Sequence, residues 1–181
     1  VHRQCLVSIG VIGAGTMGGG IAMCFANAGI PVKVYDNSPE GLERGVSVIR
    51  SNYARTVSKG RLSQSDMDDR MAKIEPVSTM EAFQNADVVV EAVYENLDLK
   101  KQIFETLDGI MKPGALLATN TSGLDVDAIA ASTSRPESVC GMHFFSPANV
   151  MRLLEVVRGE ASSPETLATA MAMGKRMGKV S

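Results

Sequence analysis

Three glycines and one acid constrain this chain more than any other feature. Gly13, Gly15 and Gly18 lie in Ser8-Ile-Gly-Val-Ile-Gly-Ala-Gly-Thr-Met-Gly18, and Asp36 closes the next apolar run. A G-x-G-x-x-G triplet alone says little, because glycine-rich turns are common. Here the flanks agree with it. Leu6 to Ile12 is apolar and reads as a buried strand, and Thr16 to Asn27 is helix-compatible. Gly29 suits the end of that helix, and Pro31-Val-Lys-Val-Tyr-Asp36 reads as a second strand ending in an acid. This is the pattern of a βαβ unit that binds a dinucleotide, with an acid about 20 residues beyond the glycines.

Each position has a physical reason. Gly13 permits a turn too tight for a side chain, Gly15 leaves the backbone bare for a pyrophosphate, and Gly18 lets helix and strand pack closely. The first amides of the helix, Thr16 and Met17 among them, then face the phosphates with the positive end of the helix dipole behind them. Asp36 suits the ribose hydroxyls and would repel a 2′-phosphate. Neither Asn37 nor Ser38 supplies a cation to offset that repulsion. The expected cofactor is therefore NAD, not NADP.

The rest of the sequence fits one α/β domain. Its 181 residues are 45% hydrophobic and 21% charged, with a net charge of −2, a balance that favours a folded core over disorder. Acids and bases are interspersed, so neither a nucleic-acid surface nor membrane insertion is expected. Strands are expected at Leu6–Ile12, Val32–Asp36, Lys73–Val77, Asp87–Val93, Ala115–Thr119, Ser138–Met142 and Leu153–Val157. Several are apolar on both faces, as strands covered by helices must be. Helices alternate with them, which predicts a doubly wound, mostly parallel Rossmann-type sheet. Ser38-Pro39-Glu40 and Ser163-Pro164-Glu165 read as helix starts. Gln64 to Met71 adds a helix, so a long helical excursion follows the second strand. Leu99, Ile103 and Leu107 form a stripe expected to face the core. A further strand is expected to begin near Lys179-Val180-Ser181. Cys5, Cys24 and Cys140 match no metal or redox spacing and suit a reducing, cytoplasmic compartment. Val1 at the start suggests a piece of a longer protein, and neither a leader nor a membrane span is expected.

A second constellation lies towards the C-terminus. His2 stands at the start and carries no signal. His143 is expected just past the end of a strand, in Gly-Met-His143-Phe-Phe-Ser-Pro147, at the sheet edge where such folds bind ligands. Glu155 lies among Leu and Val in the next apolar run, where a buried carboxylate needs a partner. His143 is the natural one. Asn120-Thr-Ser122 also follows a strand and brings polar groups to the same edge.

These motifs together resemble the NAD-binding domain of L-3-hydroxyacyl-CoA dehydrogenases. The likeness runs over essentially the whole chain, residues 1–181. It rests on Gly13-Ala-Gly-Thr-Met-Gly18, Glu91-Ala-Val-Tyr-Glu95 with Lys100, Asn120-Thr-Ser122, and His143-Phe-Phe-Ser-Pro147 followed by Leu154-Glu155-Val-Val157. The details look most like the dehydrogenase region of multifunctional fatty-acid oxidation enzymes, in which a hydratase domain can precede. The resemblance implies oxidation of a 3-hydroxyacyl-CoA, with His143 as the base, Glu155 as its paired acid and Ser122 on substrate and nicotinamide. It places cofactor contacts on Gly13, Gly15, Thr16, Met17, Gly18, Asp36, Glu95, Lys100, Ser122 and Ser146. Many single-function members carry Asn where this chain has Ser146. The resemblance also implies a helical domain after this one, supplying an Asn, part of the substrate cleft and a homo-oligomer interface; this chain is expected to lack it. It leaves the peroxisomal matrix as a second compartment. Two other readings stay open: a cofactor-binding module without turnover, and a dehydrogenase of a small free 3-hydroxy acid.

Overall fold

The glycine turn is the hinge of a βαβ unit. In the computed structural model, which describes residues 7–181, β1 (Ile9–Ile12) leads through Gly13 and Gly15 into α1 (Thr16–Asn27), and β2 (Val32–Tyr35) returns parallel to β1. His2, Cys5 and Leu6 lie outside the described residues. Gly13 has φ +102°, a conformation that L side chains rarely adopt. A Cβ on Gly18 would fall on the carbonyl oxygen of Gly13. The helix therefore crosses the strand at backbone contact.

After β2 the chain makes its helical excursion, α2 (Pro39–Ser58) and α3 (Gln64–Ala72), before β3 (Ile74–Val77). Ser38 caps α2 by accepting a hydrogen bond from the Gly41 amide at 3.0 Å, with Pro39 in the first turn. Then come β4 (Val88–Glu91), α4 (Leu97–Ile110), β5 (Leu116–Thr119), α5 (Val126–Ala130), β6 (Val139–Phe144), β7 (Leu154–Val157) and α6 (Pro164–Arg176). Residues 7–181 build one seven-stranded sheet in the order β3-β2-β1-β4-β5-β6-β7. Every neighbouring pair is parallel except β6 and β7. Strands β1, β4 and β5 are buried along their whole length. One apolar core lies on each face of the sheet, one built on Phe25 and Ile49, the other on Phe83 and Phe104.

The expected strands all form, most of them one residue shorter at one end. Three details differ from expectation. The buried side of α4 is Lys100, Phe104 and Leu107, whereas Leu99 and Ile103 are only half-buried. The last residues make a single bridge, Val180 beside Leu153, instead of a strand. His143 lies inside β6, not beyond it. The antiparallel ladder with β7 carries β6 two residues past its expected end, pairing His143 with Glu155 and Phe144 with Leu154. Among the described residues no helix is long and apolar enough to cross a membrane.

Close packing on the glycine turn reverses the usual effect of a helix substitution. Gly109, in α4, has open space where a Cβ would stand, so Gly109→Ala should stabilise by about 0.5–1 kcal/mol. Gly45, in α2, packs against the Ala14 carbonyl, which a Cβ would strike. Gly45→Ala should therefore destabilise despite its better helix propensity. Urea unfolding of both variants checks the opposite signs.

Candidate active site

Sheet order decides where ligands can sit. β1 is flanked by β2 on one side and β4 on the other, so successive crossovers leave in opposite directions and open a crevice at the strands' C-terminal ends. The glycine turn forms one wall. No side chain caps α1 at Gly15, and its first turn holds no acid, so the positive end of the helix carries no partner of its own. A Cβ on Gly15 would meet nothing within 4 Å, which leaves bare backbone for a ligand to approach. Asp36 is built into this wall. Its Oδ2 accepts the Ala14 amide and its Oδ1 the Ser38 amide, both at 2.9 Å. Each oxygen keeps a lone pair for a hydroxyl. A glycine cradle, an uncapped helix and a clamped acid together fit the pyrophosphate and ribose of a dinucleotide.

Beside this wall is an open cleft of about 270 Å³ lined by Met17, Glu95, Asn120, Ser122, His143 and Ser146, among others. Residues from four separate chain segments thus meet. His143 Nδ1 lies 3.0 Å from Glu155 Oε2 across the β6–β7 ladder. The reason expected for this pairing needs correction. Because β7 is the edge strand, the Glu155 side chain is 52% exposed, while that of His143 is 17% exposed. Cross-strand register, not escape from burial, brings them together. Phe145 packs on the imidazole, ring centres 4.4 Å apart. Asn120 Oδ1 accepts the Phe144 amide at 2.8 Å, which ties the end of β5 to β6. Ser122 and Ser146 are exposed at the rim.

Glu95 and Lys100 fall out differently. Glu95 lines the cleft, but Lys100 lies beneath it, its side chain 1% exposed. Its ammonium reaches Glu91 Oε1 at 2.6 Å, the Val93 carbonyl at 3.2 Å and Glu95 Oε1 at 3.3 Å. Three acceptors match its three protons, so in this structure its ammonium is fully engaged within the protein. Glu91, Thr119 and Thr121 complete the buried network, although the sequence reading gives none of them a role. The available signal was an acid ending the otherwise apolar run Val88-Val-Val-Glu91. Cys24 and Cys140 stand apart from the cleft's chemistry. Both are buried, and burial pushes the Cys140 thiol up to about 12.

Comparison with known proteins agrees with this geometry. Residues 8–181 match the family model described as 3-hydroxyacyl-CoA dehydrogenase, NAD binding domain. The peroxisomal bifunctional enzyme of Cavia porcellus is 48% identical over 173 residues, 96% of this chain and 24% of that protein. A probable 3-hydroxybutyryl-CoA dehydrogenase of Bacillus subtilis is 44% identical over 93% of this chain and 59% of its own length. The crystal structure of 3-hydroxybutyryl-CoA dehydrogenase from Escherichia coli K12 superposes with a TM-score of 0.93 at 39% identity, covering 96% of this chain and 37% of that one. The chain thus spans from a quarter to under two thirds of these relatives.

The register of β6 and β7 has a spectroscopic consequence. With Glu155 accepting at Nδ1, neutral His143 should carry its proton there and leave Nε2 as the free acceptor on a residue that lines the cleft. Long-range ¹⁵N–¹H spectra should show the Nδ1–H tautomer, and Glu155→Leu should abolish that preference. A predominant Nε2–H tautomer in the unmodified protein would contradict the assignment.

Proposed function

Because the chain belongs to the 3-hydroxyacyl-CoA dehydrogenase family, as its NAD-binding domain, we propose that it carries the cofactor and acid–base half of a site oxidising (S)-3-hydroxyacyl-CoA to 3-oxoacyl-CoA in fatty-acid oxidation. The observation that carries this reading is the His143–Glu155 pair, 3.0 Å apart, whose His143 lines the same cleft as Ser122 and as Met17 of the glycine-turn segment. Bound NAD supplies the two-electron redox chemistry. The protein must supply proton transfer, orientation and selectivity.

His143 is the base. A neutral imidazole suits proton removal from a secondary hydroxyl near pH 7, and Nε2 is the atom left free to receive that proton. Glu155 holds the ring in this orientation and stabilises the imidazolium that forms, as the acid does in other His–acid pairs. Ser122, across the cleft, hydrogen-bonds the same hydroxyl and aligns C3 with the cofactor, a positioning role. The residues of the Gly13–Gly18 turn receive the pyrophosphate, Asp36 the adenosine ribose, and Glu95 and Ser146 the cofactor along the rim. A helical domain following this one supplies the rest of the acyl-CoA cleft and the homo-oligomer interface. Turnover then belongs to the longer protein, and cofactor binding to this chain. The buried, unpaired thiols Cys24 and Cys140 suit a reducing compartment. Our reading is the cytoplasm, with the peroxisomal matrix as the alternative that the Cavia porcellus relative's name raises.

Cofactor choice is the direct test on this chain. NADH should bind at least about tenfold tighter than NADPH, a difference of about 1.4 kcal/mol, and Asp36→Ala should narrow the gap. Equal affinities in a fluorescence titration would refute the role given to Asp36.

Proton transfer is tested in the longer protein, helical domain included. With 3-hydroxybutyryl-CoA, His143→Gln should lower kcat by about 100-fold or more, and Glu155→Gln should lower it to a lesser extent. Both variants should still bind NADH. Near-normal turnover in Glu155→Gln would reduce that residue to an ordinary edge-strand side chain.

A further inference from the structure

Ser122 lies on a turn whose backbone is held by the buried network beneath the cleft. Both Glu91 and Lys100 are shut away from water, with side chains 0% and 1% exposed. Burying two charges is costly, and an ion pair in that setting commonly stabilises no more than apolar residues of the same volume would. The partners of this pair suggest what it does instead.

Two routes run from it, and they converge on the residue before Ser122. In the first, Glu91 Oε2 accepts the Thr119 hydroxyl at 2.7 Å. The Thr119 oxygen in turn accepts the Thr121 amide at 3.3 Å. In the second, Glu91 Oε1 accepts from Lys100 at 2.6 Å, and Lys100 reaches Glu95 Oε1 at 3.3 Å. Glu95 Oε2 accepts the Thr121 hydroxyl at 2.8 Å. That hydroxyl oxygen then accepts the Leu124 amide at 2.9 Å and the Gly123 amide at 3.4 Å. Each threonine has a single hydroxyl proton and spends it on a carboxylate. The direction of every bond is thereby set, and the turn receives its amide bonds from oxygens already fixed below. Glu91 Oε1 also accepts the Val93 amide at 2.7 Å, so the loop carrying Glu95 is held by the same carboxylate.

We propose that the buried Glu91–Lys100 pair is a positioning device that sets the Ser122 turn and Glu95 together, acting through Thr119 and Thr121. The pair itself is buried beneath the cleft. It makes two loops from different strands one rigid wall, so the cofactor meets Ser122 and Glu95 already aligned. This inference rests on the functional reading above only for what the turn receives; the mechanical linkage stands on the geometry alone.

The test uses amide hydrogen exchange and NADH titration on this chain. In the double variant Glu91→Gln, Lys100→Met no buried charge is left unpaired, because Glu95, which loses its cation, is half-exposed and keeps the Thr121 hydroxyl. Exchange at Gly123 and Leu124 should quicken by about tenfold or more while β4 and β5 stay protected. The NADH Kd should rise by about fivefold or more. Thr119→Val, which keeps shape and loses the hydroxyl, should act in the same direction, and Thr119→Ser should restore both readouts. This second pair decides the matter if the double variant does not fold. Wild-type exchange at the turn in Thr119→Val, or a Thr119→Ser variant no better than Thr119→Val, would overturn the proposal. Failure of the unmodified chain to bind NADH would count against the functional reading instead, and the exchange measurements would still report on the linkage.

Discussion

Backbone contact between α1 and the turn that follows β1 is the constraint on which the rest depends. A Cβ on Gly18 would occupy the Gly13 carbonyl, and one on Gly45 would strike Ala14. Helices α1 and α2 therefore both press on the same few peptide groups. The clamp from Asp36 to the Ala14 and Ser38 amides keeps the turn in place. A site for a dinucleotide follows from packing, with almost no side chain involved.

The His143–Glu155 pair arises from a different device, the one antiparallel ladder in an otherwise parallel sheet. A parallel neighbour would need a long crossover before any residue could lie opposite His143. Because β7 runs back along β6, Glu155 stands directly across from His143. The edge position leaves the carboxylate half-exposed, so it orients the imidazole without the cost of full burial. The pair therefore belongs to the sheet itself, a more rigid support than a loop.

Between these two features lies the buried ion pair. Its placement at the C-terminal end of β4, the strand beside the switch point, puts it below both loops that rim the cleft. Buried polar networks are stabilising only when every member is satisfied, and here Glu91, Lys100, Thr119 and Thr121 all have partners. The support beneath the cleft is thus built from charge and hydroxyl groups, whereas the sheet's two faces are apolar.

Much of this was legible in the amino-acid sequence, for reasons that are local. Glycine spacing, the acid ending β2, the serine–proline helix starts and doubly apolar strands each reflect short-range sterics or one-residue periodicity, which neighbours in sequence express directly. Pairing His143 with Glu155 was also within reach, since a histidine and an acid in successive apolar runs invite it. The reason for it was not, because exposure depends on which strand lies at the edge, and strand order is not written in any single segment. Lys100 shows the same limit more sharply. In sequence it is a lysine five residues after an acid at a helix start, a pattern that ordinarily faces water. Only the fold, by placing α4 against the end of β4, buries its ammonium against Glu91 and gives Thr119 and Thr121 their partners. Local sequence determined the elements and the cofactor turn; tertiary packing decided which charges meet, because burial and register are properties of neighbours far apart along the chain.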